Sequence, residues 1–129
     1  MLSTDDISHE VMDVVRRTVA SRLALLLEDG GILITLETDS NIFAYDTEAA
    51  EKNVDTARRT AALPAVRYGV LIYDGHITTA KNGRTAALMV EAYERGKPSG
   101  LRFIQRYQPG TEDAPLVPIG RITYVGRLD

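Results

Sequence analysis

Apolar residues recur near the start of the chain at steps of three and four: Met12, Val15, Val19, Leu23 and Leu26. Ile7, Val11 and Val14 widen that stripe, while Glu10, Arg16, Arg17 and Arg22 fall mostly on the opposite side. The spacing predicts an amphipathic helix of about six turns. Ser3 or Thr4 is placed to cap it, Asp5 and Asp6 put negative charge in its first turn, and Gly30-Gly31 stops it. Its last turns, Leu23 to Leu27, are apolar nearly all round. That end is expected to meet either the domain's own sheet or a second subunit.

After the two glycines the pattern changes. Ile32 to Leu36 reads as a buried strand, Thr38-Asp39-Ser40-Asn41 as a turn, and Ile42 to Tyr45 as a returning strand. Asp46 or Thr47 is expected to cap a second helix with a small-residue face of Ala49, Ala50, Val54, Ala57 and Ala61. It ends before Pro64, which disfavours helical geometry at Leu63.

From Val66 onward the period is two. Arg67 to Tyr73 is a strand, Asp74-Gly75 a hairpin turn, His76 to Thr79 the returning strand, and Asn82-Gly83 a second turn. Residues 85–95 are rich in Ala, Leu, Met and Glu, a helical composition, yet register favours a strand. With two-residue loops at both turns, one sheet face collects Val70, Ile72, Ile77, Thr79, Ala86, Leu88, Val90 and Ala92. The other collects Leu71, Tyr73, His76, Thr78, Ala87, Met89, Glu91 and Tyr93. An apolar face opposite a mixed one is the signature of alternation in a sheet, and a helix offers no comparable match. Lys97 to Gly100 is then a turn, Leu101 to Tyr107 a strand, Pro109 to Pro115 an exposed acidic loop, and Arg121 to Val125 a short last strand.

These elements predict a single α+β domain over residues 1–129. It holds a single antiparallel meander sheet, with an N-terminal helix and a second helix packed on one face. The element order over residues 31–108 resembles that of profilin-like or roadblock-like domains; order alone implies no activity. Tyr73-Asp74-Gly75, Arg84-Thr85-x-Ala87, Val90-Glu91-Ala92, Glu94-Arg95-Gly96 and Phe103-x-Gln105-Arg106-Tyr107 form a further pattern. Over about residues 68–108 it resembles a group of small, uncharacterised bacterial proteins. The resemblance implies a bacterial, intracellular origin and no activity.

Composition narrows the chemistry. The 129 residues are 44% hydrophobic and 26% charged, ordinary usage for one globular domain. Fifteen Lys+Arg against eighteen Asp+Glu give a formal charge of −3, which argues against a broad electrostatic grip on nucleic acid. An aromatic share of 6% without tryptophan leaves little for base-stacking platforms. The absence of cysteine removes disulfides, thiolate metal sites and cysteine nucleophiles. His9 and His76 are too few and too far apart for a histidine metal site, so no metal or cofactor is expected. The longest apolar run, Leu23 to Leu27, is far short of the roughly 20 residues a bilayer needs. The first residues lack the charge and apolar stretch of a secretory signal, so a cytoplasmic location is the expectation, without membrane or nucleic-acid contact.

Candidate chemistry gathers on the mixed face as Tyr73, His76, Glu91, Tyr93, Arg102 and Arg106. A four-residue turn at 96–99 puts Arg102 opposite Tyr93 and Arg106 opposite Met89, with Glu91 diagonal to both arginines and to His76. A histidine beside a carboxylate can act as a general base, and paired arginines can clamp an anion. The same residues can equally be cross-strand pairs on an uncovered face, and no catalytic residue is assigned. Gly30-Gly31 follows a helix and so does not form a phosphate loop. Asp39-Ser40-Asn41 and Glu112-Asp113 lack calcium-loop spacing. Arg16-Arg17, Arg22 and Arg58-Arg59 read as solvated helix faces. The expected function is a non-enzymatic binding or protein-interaction module. It is expected to homodimerise through the face of Leu71, Tyr73, Met89, Tyr93 and Ile104 or through the Leu-rich helix end. The alternative is an enzyme or receptor for a small anionic metabolite using Arg102, Arg106, His76 and Glu91. A toxin–antitoxin or immunity partner is a third reading that the acidic charge permits.

Overall fold

The computed structural model describes residues 7–24, 32–47, 51–81, 83–97, 99–108 and 117–128. The first element, α1 (His9–Ala24), begins later than the stripe suggests. Ser8 caps it: the Val11 amide donates to Ser8 Oγ at 3.2 Å and the Met12 amide to the Ser8 carbonyl at 3.1 Å. Ile7, just before the cap, joins the same apolar cluster as Met12, a hydrophobic staple that fixes how the chain enters the helix. The expected Ser3 or Thr4 cap, the Gly30-Gly31 stop and most of the Leu-rich end lie outside the described residues.

Strands β1 (Ile32–Thr38) and β2 (Ile42–Thr47) form the expected hairpin. Thr38 closes its turn, accepting on Oγ1 from the amides of Ser40 and Asn41. Asp46 and Thr47 belong to β2 rather than capping the next helix, because β1 pairs with them through Leu33 and Ile32. Helix α2 (Glu51–Ala61) follows and ends ahead of Pro64. The chain continues into β3 (Val66–Thr79), β4 (Gly83–Glu94), β5 (Gly100–Gln108) and β6 (Val117–Leu128). All neighbours pair antiparallel, in the order β2-β1-β3-β4-β5-β6. The molecule is therefore an α+β protein with one six-stranded antiparallel sheet. No helix among the described residues is long and apolar enough to cross a membrane.

Residues 85–94 are strand, as register argued. The Asp74-Gly75 turn, however, does not form. β3 runs straight through it, and a ladder from Tyr68↔Glu94 to Thr79↔Gly83 leaves no reversal there. A dipeptide that favours a tight turn is overridden by twelve consecutive cross-strand pairs. Met89 lies over Gly75, where an added Cβ would come within 2.7 Å of its Cγ. The reversal between β3 and β4 falls between Thr79 and Gly83, and Gly83 opens the returning strand at φ 63°. Ile77 consequently faces Thr85 instead of Leu88, a slip of three residues. An odd slip exchanges faces, so His76 and Thr78 join the side of Val70 and Ile72.

The two helices divide the sheet between them, so the helical layer expected on one face is split. Helix α1 packs Val11, Val14, Val15 and Val19 against Val70, Ile72, Leu88, Val90, Ala92 and Phe103. Helix α2 packs Ala57 and Ala61 on the opposite face, against Ile32, Ile34 and Leu71. Leu71, expected on an open face, is thus fully buried. Strand β6 is more than twice the expected length and lies largely outside both helical layers, with Val117, Ile119 and Val125 exposed. The expected acidic loop at 109–115 lies outside the described residues.

Candidate functional site

Glycine decides where α2 sits. A Cβ on Gly69 would stand 2.5 Å from the carbonyl oxygen of Ala61, so only a bare backbone lets the end of α2 press onto β3. Val54, Ala57 and Ala61 face the sheet at helical spacing, and Arg58 stands among them. From there its guanidinium reaches Glu91 of β4, whose carboxylate is completely buried. Nε donates to Oε1 at 2.6 Å and Nη2 to Oε2 at 2.8 Å, a two-pronged pairing. Tyr73 donates to Oε2 at 2.8 Å and Tyr93 to Oε1 at 3.0 Å. Each carboxylate oxygen therefore accepts two hydrogen bonds. Gly100 makes room for the Tyr93 ring, which lies 2.5 Å from where a Cβ would be.

The electrostatics follow from this saturation. Burial, the largest single influence, would raise the Glu91 carboxyl. The hydrogen bonds from Arg58 and Tyr73, the Arg58 charge and the Tyr93 hydrogen bond together outweigh it, and the group stays below the usual carboxylate range. Burial and the adjacent carboxylate push the Tyr73 and Tyr93 hydroxyls above the usual phenol value. The Arg58 guanidinium, hydrogen-bonded to Glu91, is held more firmly protonated than usual. Glu91 is an acceptor with its capacity filled. This geometry clasps α2 to the sheet and offers no lone pair to a substrate.

Of the six residues singled out from sequence, the structure brings Tyr73, Glu91 and Tyr93 into one network. Arg102 pairs with Glu91 across β4–β5 and Arg106 with Ala87, two residues from the expected register. An even slip keeps the face, so both arginines remain on the α2 side. The Nε of each is buried without a hydrogen-bond partner, and neither side chain makes an ion pair among the described residues. His76 does not belong to this set. It is exposed on the other face, its Nδ1 3.4 Å from Arg84 Nη2, because the turn that would have folded it back is absent. The acid–base pairing of His76 with Glu91 is therefore not assembled.

Sequence reasoning missed Arg58, taken for solvent-facing. Its position one residue after Ala57 and three before Ala61, inside the apolar stripe of α2, is the signal that could have found it. It missed Arg22 for the same reason. Arg22 is only 3% exposed and its Nη2 bridges both oxygens of Asp74 at 2.9 and 3.0 Å, on the α1 face. Tyr107 donates to Asp74 Oδ1 at 3.4 Å, and burial first, then the Asp74 charge, raises its hydroxyl. Arg22 Nε and Nη1 are buried without partners. No group of three or more metal-ligating side chains occurs among the described residues.

Beyond the Glu91 clasp, no other described helix or strand covers this face. Helix α2 lies over β1 and β3 and touches β4 at its margin. On the same face, β4 to β6 present Met89, Arg102, Ile104, Arg106, Ile119 and Arg121. Ile122 and Tyr124 turn toward the α1 cluster, which places Arg121 and Thr123 on this side. Strands β5 and β6 contain four arginines and no acidic residue. No family model, no curated protein and no solved structure matches the chain.

Proposed function

We propose that this chain is a binding module, non-enzymatic, that engages another protein surface through the half of the α2 face that α2 leaves bare. One observation carries this reading: the apolar row that α2 does not cover continues onto β6, where Val117, Ile119 and Val125 are 49%, 36% and 48% exposed. Apolar side chains grouped on one surface and rimmed by charge mark interaction sites more often than isolated ones do. The saturated state of Glu91 supports it as well, since the most conspicuous buried carboxylate serves packing. A second copy of the chain is among the candidate partners, in keeping with the homodimer expected from sequence.

The test is positional. A photo-crosslinking amino acid replaces Ile119 in one variant and the exposed Arg59 in another, in cells that naturally express the chain. A discrete adduct at 119 and none at 59 is the expected result. Equal, diffuse labelling at both positions would overturn the reading. Light scattering on the purified chain then separates self-association from a different partner.

Arg102 and Arg106 favour a second reading, a receptor for a small anion, because each holds a buried N–H without an acceptor. A thermal-shift screen of anionic metabolites reads it directly. Binding at 100 times Kd raises stability by about 2.7 kcal/mol, and Arg106→Ala should abolish that gain.

A further inference from the structure

We infer that the partner seated on this bare face is an acidic amphipathic helix of another protein, an inference that rests on the interaction reading above. Width comes first. Strands lie about 4.8 Å apart, so the sheet beyond α2 is about 10 Å across, the girth of one helix with side chains. A helix lying beside α2 would complete a layer that α2 only half fills.

Charge fixes the sign. Arg102, Arg106 and Arg121 stand on this surface, and the only carboxylate of β4 to β6 on the same side is Glu91, already held by Arg58. A chain of net charge −3 thus gathers three cations on one patch. Arginine pairs with carboxylates through two parallel N–H donors, and rotation onto a partner's Glu or Asp would give Arg102 and Arg106 the acceptors they lack. Met89, Ile104 and Ile119 between them would receive the partner's apolar stripe.

Other occupants fit less well. A second copy docked face to face would set three arginines against three, and like charges across an interface are costly. Strand addition to the free edge of β6 meets interruptions at Pro118, at Gly120 (φ 72°) and at Gly126 (φ 133°). Nucleic acid would want a broad basic surface with free aromatic platforms, whereas the tyrosines of this face, Tyr73 and Tyr93, are tied by their hydroxyls to Glu91.

The experiment uses a labelled synthetic helix with glutamates flanking a leucine stripe, and its lysine counterpart, titrated with the full chain at two salt concentrations. The acidic helix should bind more tightly at low salt. The double variant Arg102→Glu/Arg106→Glu should weaken it at least about ten-fold while binding the lysine helix better than the wild-type chain does. Arg121→Glu, at an exposed position, should weaken it too, and keeps the test open should the double variant fail to fold. Equal affinity for both helices, no binding of either, or affinity unchanged in the arginine variants would overturn the inference. A crosslink at position 119 that survives all three substitutions, or that joins two copies of this chain, would also overturn it and leave the interaction reading standing.

Discussion

Two arginine–carboxylate pairs pin the two helices to opposite faces of one sheet, and they are built differently. Arg58 and Glu91 meet through two parallel hydrogen bonds, and two tyrosines fill the remaining acceptor positions. Arg22 and Asp74 meet through a single nitrogen, and two further arginine nitrogens stay buried with no partner. Removing an ion from water costs several kcal/mol, and only complete pairing offsets it. The Arg58 clasp meets that condition and the Arg22 clasp does not. The first therefore holds its helix in one place, whereas the second is a pair whose replacement by apolar groups the fold should tolerate.

The largest expected effect breaks the first clasp. Arg58→Met leaves the Glu91 carboxylate buried without its counter-ion and should cost about 3–5 kcal/mol in urea unfolding. Adding Glu91→Leu should recover most of that loss; a double variant no better than the single one would refute this account of the pair. The same clasp sets a pH dependence. Because the folded-state Glu91 carboxyl lies below its unfolded value, its contribution is complete above the unfolded carboxyl range and is lost as pH falls through the folded value. The double variant should therefore unfold with a shallower acid limb. Tyr73, Tyr93 and Tyr107 shift the other way: their contribution is intact below pH about 10 and declines as pH climbs through their raised values. Absorbance titration should show Tyr73, Tyr93 and Tyr107 ionising above the usual phenol range.

Next in size is Gly69→Val. Its side chain would meet the Ala61 backbone, so it should cost about 1–3 kcal/mol and loosen α2. Hydrogen exchange that slows or stays constant in α2 would contradict the close-approach role. Arg22→Met with Asp74→Leu sharpens the contrast. It replaces the whole pair by apolar groups and removes the donors that Arg22 leaves buried without partners, so its effect should stay within about 1 kcal/mol of zero; a loss as large as that of Arg58→Met would make the two clasps equivalent. The smallest effect belongs to Asp39→Asn. Arg95 holds that carboxyl below its usual range by hydrogen bonding and charge, but the pair is exposed and screened. The unfolding midpoint at neutral pH should not move measurably.

Periodicity carried the fold a long way. The stripe of α1, a hairpin over 31–45, the strand nature of 85–94 and the α+β class were all legible, because burial of one face imposes a 3.6- or 2-residue rhythm on the chain. Glu91 and Tyr93 were legible as neighbours for the same reason: alternate residues of one strand share a face whatever the pairing partner. Tyr73 was assigned to that face, but only the unbroken β3 sets it opposite Met89 and beside Glu91. His76 was misplaced by a turn signal that is local, whereas the ladder that overrides it is not. Arg58 and Arg22 were invisible as site residues because a charged side chain inside an apolar helical stripe looks like a solvated one until the opposing strand is known.

The amino-acid order by itself determined which residues of a strand alternate, that α2 must end before Pro64 and how much charge the chain carries, since these depend on near neighbours. Only the tertiary structure decided that the helices take opposite faces, that Glu91 receives Arg58 rather than His76, and that no described element covers half of one face. Those outcomes hang on register and on the approach of Ala61 to Gly69, contacts between residues distant in the chain that no local pattern encodes.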